Sequence, residues 1–232
     1  MKKALITLLK GVLAGASIGL GGFLYILFHY LIKGEGGLIL GSLFFTIGLF
    51  LVCTLHLNLF TGKVGQVFEK KQEKDFYISL LIMYIGNIIG AIGLGYICFA
   101  IFKNTDLFEV AYEVAKSKLK FSSFFDTLSG MIKSTLCGFC VYAAVKCYSL
   151  RFLKPKGVFF LVFFIFGFVY TSCKHCIANM FYFAISNMYG DNYLSFIDIP
   201  VCTIFNTLGS LIGALQYKLY TEKNNEIISA IN

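Results

Sequence analysis

Apolar stretches long enough to cross a bilayer follow one another from Gly11 to Lys218, with mostly short polar joints between them. A spanning helix needs about 20 mainly apolar residues, and inside a membrane its backbone groups must be satisfied within the segment. On that basis the spans cover Gly11–Ile32, Gly37–Thr61, Phe76–Phe102, Leu128–Leu150, Gly157–Met188 and Tyr193–Lys218. With 14% charged residues, a soluble domain of this size could not keep its surface wet. The first residues resemble a signal peptide, but the apolar run continues to Ile32 and reads as a retained first span. The expectation is an all-α polytopic membrane protein, with residues 1–232 forming a single transmembrane transport domain that has short cytoplasmic N- and C-terminal tails.

The net charge of +8 does not form a stripe suited to nucleic acid. Basic residues sit in clusters between spans, the pattern of cytoplasmic loops facing anionic lipid. Placing both termini in the cytoplasm puts Lys2, Lys3, Lys10, Lys63, Lys70, Lys71, Lys74, Lys146, Arg151, Lys154, Lys156, Lys218 and Lys223 on the inner side. That is most of the 20 Lys and Arg, so a multi-pass protein of the cytoplasmic (inner) membrane is expected. Between the third and fourth spans, DLFEVAYEVAKSKL places Leu107, Val110, Ala111 and Val114 at helical spacing, which predicts an amphipathic helix near the interface.

Two spans depart from simple helices. The fifth would be ~48 Å long if helical throughout, against a hydrocarbon layer of ~30 Å. It carries TSCKHCIAN, with Lys174, His175 and Asn179 inside an apolar run. The second carries CTLHLNLFTGK, with His56, Asn58 and Thr61 near its end. Irregular backbone at membrane depth is tolerated only against protein or along a water-filled path. One broken helix in each half is the mark of an inverted-repeat transport fold, here three helices plus three. LNLF and ANMF, each following a histidine (His56 and His175), offer a loose alignment of the halves.

The intramembrane ionisable residues point to anions. Asp and Glu number 12, and Asp126 and Asp198 read as lying at span edges, which disfavours a carboxylate-based cation pump. His175, Lys174, Lys133 and His56 are the buried candidates, and a positive site lowers the cost of bringing an anion to an apolar barrier. Histidine titrates near working pH, so an anion protonated beside it could pass as a neutral acid. Intramembrane Gly15, Gly19, Gly86, Gly90, Gly93 and Gly95 read as helix-packing positions. Eight cysteines include two C-x-x-C pairs, Cys137/Cys140 and Cys173/Cys176, so the alternative is a membrane thiol redox protein. Neither a catalytic carboxylate pair nor a Ser-His-Asp set is evident, and no metal or cofactor is expected.

The chain resembles the formate/nitrite transporter family, which includes hydrosulfide channels. KHCIANMF (174–181) is similar to that family's E-H-x-x-A-N-M-F, and LNLFTGK (57–63) to its E-L-F-T-G-N. GNIIGA (86–91) and AKSKL (115–119) add two further matches in the same order. The resemblance implies an aquaporin-like protomer with six transmembrane helices, the second and fifth interrupted, assembled as a homopentamer with one pore per protomer. It implies a channel or transporter, not an enzyme, for small monovalent anions of weak acids (formate, nitrite or hydrosulfide), with protons and membrane lipid as the other partners. His175 would be the central histidine coupling anion passage to protonation, with Lys174, Asn179 and Thr61 beside it. Phe60 and Phe168 would form constrictions, Lys118 would attract the anion, and His56 and Asn58 would be further polar pore residues. The chain departs from the pattern at Asn58 and Lys174, where the family carries acids, and at Gly138, where it carries an asparagine. These changes predict an unusually positive pore centre.

Overall fold

The computed structural model describes residues 2–68, 74–119, 123–150, 153, 155–191 and 193–231, with backbone alone for 191 and 223–231. Lys70, Lys71, Arg151 and Lys154, assigned above to the inner face, lie outside these residues, as does the side chain of Lys223. Every regular element among the described residues is helical. The helices are α1 (Lys2–Leu31), α2 (Glu35–Thr54), α3 (Phe60–Lys63), α4 (Lys74–Phe102), α5 (Asp106–Lys118), α6 (Phe124–Ser149), α7 (Lys156–Tyr170), α8 (Cys176–Ile185), α9 (Met188–Asp191) and α10 (Leu194–Ile231). A 3-10 turn, Val64–Phe68, extends α3.

Five of these, α1, α2, α4, α6 and α10, are long and apolar enough to cross a membrane. The apolar stretch 157–188 is divided instead between α7 and α8, which are shorter apolar helices. The outward faces of α4, α6, α7 and α10 carry large exposed side chains, such as Leu81, Ile97, Ile132, Phe159 and Ile204, which suit lipid or a neighbouring chain and not water. The deepest element is α8, every residue of which is buried. It packs on α4, α5, α1 and α10.

Glycine sets the close approach of two helix pairs in the same way. A Cβ added at Gly15 of α1 would strike the backbone of Asn87 in α4, and one at Gly138 of α6 would strike the backbone of Asn206 in α10. Gly90 faces the Val12 carbonyl just as Gly209 faces the Thr135 carbonyl. Gly138 is therefore a packing position. Gly93, read above as another, has open space around it.

α5 forms where its spacing predicts. Its buried face, Leu107, Ala111, Val114, Ala115 and Lys118, packs against α8 and α1.

Candidate functional site

Both helix breaks are built by one hydrogen-bonding pattern. α2 ends with His56 at φ 51, and α7 ends with Ser172 at φ 55, each in the left-handed region. The Leu57 amide donates to the Val52 carbonyl at 2.9 Å, and the Cys173 amide to the Phe168 carbonyl at 2.9 Å. His56 donates to Cys53 and Ser172 to Val169, which completes a Schellman cap on each helix. The chain then extends for a few residues before α3 and α8 begin, with Leu59 and His175 as their N-caps. This corrects the alignment through the histidines: the counterpart of His56 is Ser172, and the counterpart of His175 is Leu59.

Two asparagines tie down the extended segments. Asn87 Oδ1 accepts from the Phe60 amide at 2.9 Å, and its Nδ2 donates to the carbonyls of Gly11 and Asn58, both at 2.8 Å. Asn206 Oδ1 accepts from the Cys176 amide at 2.9 Å, and its Nδ2 donates to the carbonyls of Ser134 (2.7 Å) and Lys174 (2.9 Å). Each asparagine thus satisfies the first amide of a half-helix and a carbonyl of the break, groups that burial would otherwise leave unpaired. Sequence reading quoted Asn87 only within a motif and passed over Asn206. The signal was the repeated N-x-x-G of Asn87–Gly90 and Asn206–Gly209.

The breaks meet at Thr61 and His175. Thr61 Oγ1 lies 2.9 Å from His175 Nε2 although 114 residues separate them. His175 Nδ1 accepts from the Ala178 amide at 3.2 Å. An acceptor nitrogen carries no hydrogen, so the ring hydrogen sits on Nε2, which donates to Thr61. Both residues are buried, and Ser210 fixes the Thr61 carbonyl from α10 at 3.0 Å.

Three cavities surround this contact. A vestibule of about 300 Å³ is lined by His56, Leu57, Leu59, Lys63 and Gln66, with Tyr148 and Val145 of α6. Beyond Leu59 lies a space of about 10 Å³ bounded by Phe45, Leu49, Phe168 and His175. Phe168 separates it from a second space of about 10 Å³, lined by Lys118, His175, Asn179, Tyr25 and Tyr182. Each small space holds roughly one water. The Phe168 ring lies tilted 6.2 Å from that of His175 and edge-on 6.0 Å from that of Phe45. Phe168 thus lines both small spaces. Phe60 lines none of these three cavities: its ring lies 4.9 Å from Tyr84, among Val64, Leu80 and Met83. Leu59, one residue earlier, occupies the apolar position between the vestibule and His175.

The polar residues divide into two groups. Asn58 accepts from Lys63 Nζ at 3.0 Å, beside the vestibule, and His56 is exposed there. Lys133 is half-buried, with no part in the three cavities. On the other side, Lys174 Nζ binds Asp198 Oδ1 at 2.7 Å, and Asn179 Nδ2 donates to Asp198 Oδ2 at 2.8 Å. Asp198, in the second turn of α10, is 1% exposed and lies in the interior of the fold. The unusually positive centre is corrected accordingly, because Asp198 neutralises Lys174. Lys118, at the end of α5 and outside the long apolar helices, faces the second small cavity with its Nζ 6.0 Å from the Tyr182 ring. Burial lowers its pKa to about 8, and the nearby Lys174 adds to the drop.

All eight cysteines are free thiols. Cys137, Cys173 and Cys176 are buried, and Cys140 is half-buried. Among the described residues no group of three or more His, Cys, Asp or Glu side chains converges as a metal site would require.

The model of the formate/nitrite transporter family matches residues 2–219. Among solved structures, a pentameric formate channel with formate bound is similar at 24% identity and a TM-score of 0.76, covering 95% of this chain and 98% of that one. An FNT family ion channel is similar at 19% identity and a TM-score of 0.78, covering 93% and 90%. No curated protein matches the chain.

Proposed function

This chain belongs to the formate/nitrite transporter family, and from that premise we propose that it conducts small monovalent anions of weak acids, namely formate, nitrite or hydrosulfide. As a member of that family it is a multi-pass transport protein and not an enzyme. The observation that carries the proposal is the Thr61–His175 hydrogen bond, set between two one-water spaces and walled by Leu59 and Phe168.

Lys118 draws the anion toward the second small space, where His175 Nε2–H turns from Thr61 to hold it. A bare charge cannot cross the Leu59 and Phe168 walls cheaply, since nothing there replaces its hydration. The anion, held at His175 Nε2–H, therefore takes up one proton from the water on the Lys118 side, crosses as the neutral acid, and releases that proton to water in the vestibule near Lys63. Anion and proton move together, so passage carries no net charge. His175 couples the two by holding the anion where the proton arrives.

Other parts of the reading rest on the same features. The paired Schellman caps and the Asn87 and Asn206 triads support a three-plus-three inverted repeat, with α7 and α8 in series as the sixth crossing and an aquaporin-like protomer. A homopentamer is supported by the exposed apolar faces and by the pentameric relative. Lysine placement supports cytoplasmic termini in the inner membrane.

The test is flux into liposomes holding the purified protein, comparing formate, nitrite, hydrosulfide, acetate and chloride. Uptake of at least one small weak-acid anion above protein-free vesicles is expected. Failure of every one would overturn the proposal.

A further inference from the structure

The side chain of Asn179 is 1% exposed, lines the second small cavity, and is held by one end only. Its Nδ2 donates to Asp198 Oδ2, while its Oδ1 is buried with no hydrogen-bond partner. The amide cannot turn over, because a flip would set Oδ1 against a carboxylate that has no hydrogen to give. Asp198 is itself locked by Lys174 at 2.7 Å. Lys174 and Asp198 thus act as a clamp that orients Asn179.

Lys118 and His175 line the same cavity as Asn179, whose buried Oδ1 is left without a hydrogen-bond partner. A buried acceptor without a donor is costly, so what settles there must bring a hydrogen of its own. Resting on the anion reading above, we infer that Asn179 Oδ1 is a specificity determinant that selects small species carrying a hydrogen-bond donor of their own. Hydrosulfide meets this requirement as the anion. Formate and nitrite meet it only as their protonated acids. A halide offers acceptor character alone and leaves Asn179 Oδ1 unpaired.

Hydrosulfide and chloride are the matched pair that isolates this property, being similar in size and charge. Labelled formate uptake into proteoliposomes is measured at mildly alkaline pH, where sulfide is mainly the monoanion, with sulfide or chloride added as competitor. Sulfide should compete about tenfold better than chloride, the scale of one hydrogen bond. In Asn179→Leu, which keeps the shape and removes the acceptor, that preference should fall to near one. In Lys174→Leu/Asp198→Leu, which removes the clamp but keeps Asn179, the amide is free to turn and the preference should fall as well. This second variant carries the test if the first does not fold. Equal competition in the native protein, or an unchanged preference in either variant while formate uptake persists, overturns the inference and leaves the anion reading standing. Absence of formate uptake in the native protein, with no other anion passing, overturns both.

Discussion

Asn87 and Asn206 hold equivalent places in the two halves of the chain: each accepts from the first amide of a half-helix and donates to the same two kinds of carbonyl. Replacing either by leucine leaves the first amide of a half-helix without its acceptor in the interior and takes a second donor from the carbonyls it ties, at about 1–3 kcal/mol for the stranded amide. Asn87→Leu and Asn206→Leu should therefore lower the melting temperature in detergent by similar, large amounts. A neutral result for one of them would show that its break is held by something else.

The buried pair of Lys174 and Asp198 makes a different prediction. Lys174→Leu leaves the Asp198 charge without its ammonium, a loss of about 3–5 kcal/mol for a buried pair. Lys174→Leu/Asp198→Leu removes both charges and should recover most of the native thermal stability. If the single and double variants melt alike, the two side chains do not depend on one another.

Lys118 supplies a pH signature. Its ammonium is charged below about 8 and loses its proton above, since burial disfavours the charged form. Below that value Lys118→Met should take up formate about tenfold more slowly than the native protein at low substrate concentration. The gap should close as the pH outside the vesicle rises through about 8, with the two curves meeting once the native lysine is neutral. A constant gap across that range would assign Lys118 a packing role alone.

His175 is tested in two steps. With Nδ1 occupied by the Ala178 amide, nitrogen NMR of the labelled ring should report the hydrogen on Nε2. Thr61→Val should alter the Nε2 signal and leave the Nδ1 bond in place. His175→Ala should change the pH dependence of anion uptake, and an unaltered profile would remove the coupling role.

The sequence made the breaks legible because a polar insert in an apolar run has few permissible placements. It marked Lys174, His175, Asn179 and Thr61 as neighbours of one break or the other, and the structure brings all four to the centre of the fold. Direction was harder to read. A helix turns ~100° per residue, so the one-step difference between Leu59 and Phe60 separates a wall of the path from a residue packed on Tyr84. Asp198 could not be given a depth from sequence, because its distance from the end of α10 says nothing about how far that end is buried. Pairing of Lys174 with it depends on contact between separate helices, which spacing along the chain does not encode. The histidines misled for a related reason: identity of residue type suggested a match, while the backbone repeats on Ser172 and Leu59 instead.

The two one-water spaces on either side of Phe168 bear on the energy economy of the cell that carries the protein. Protons hop along unbroken files of water far faster than ions diffuse, and a continuous file here would discharge the transmembrane potential. In the pore proposed above, Phe168 and Leu59 would cut the file into isolated molecules, leaving no hopping route between the two faces. Such a pore can stand in an energised membrane without draining it.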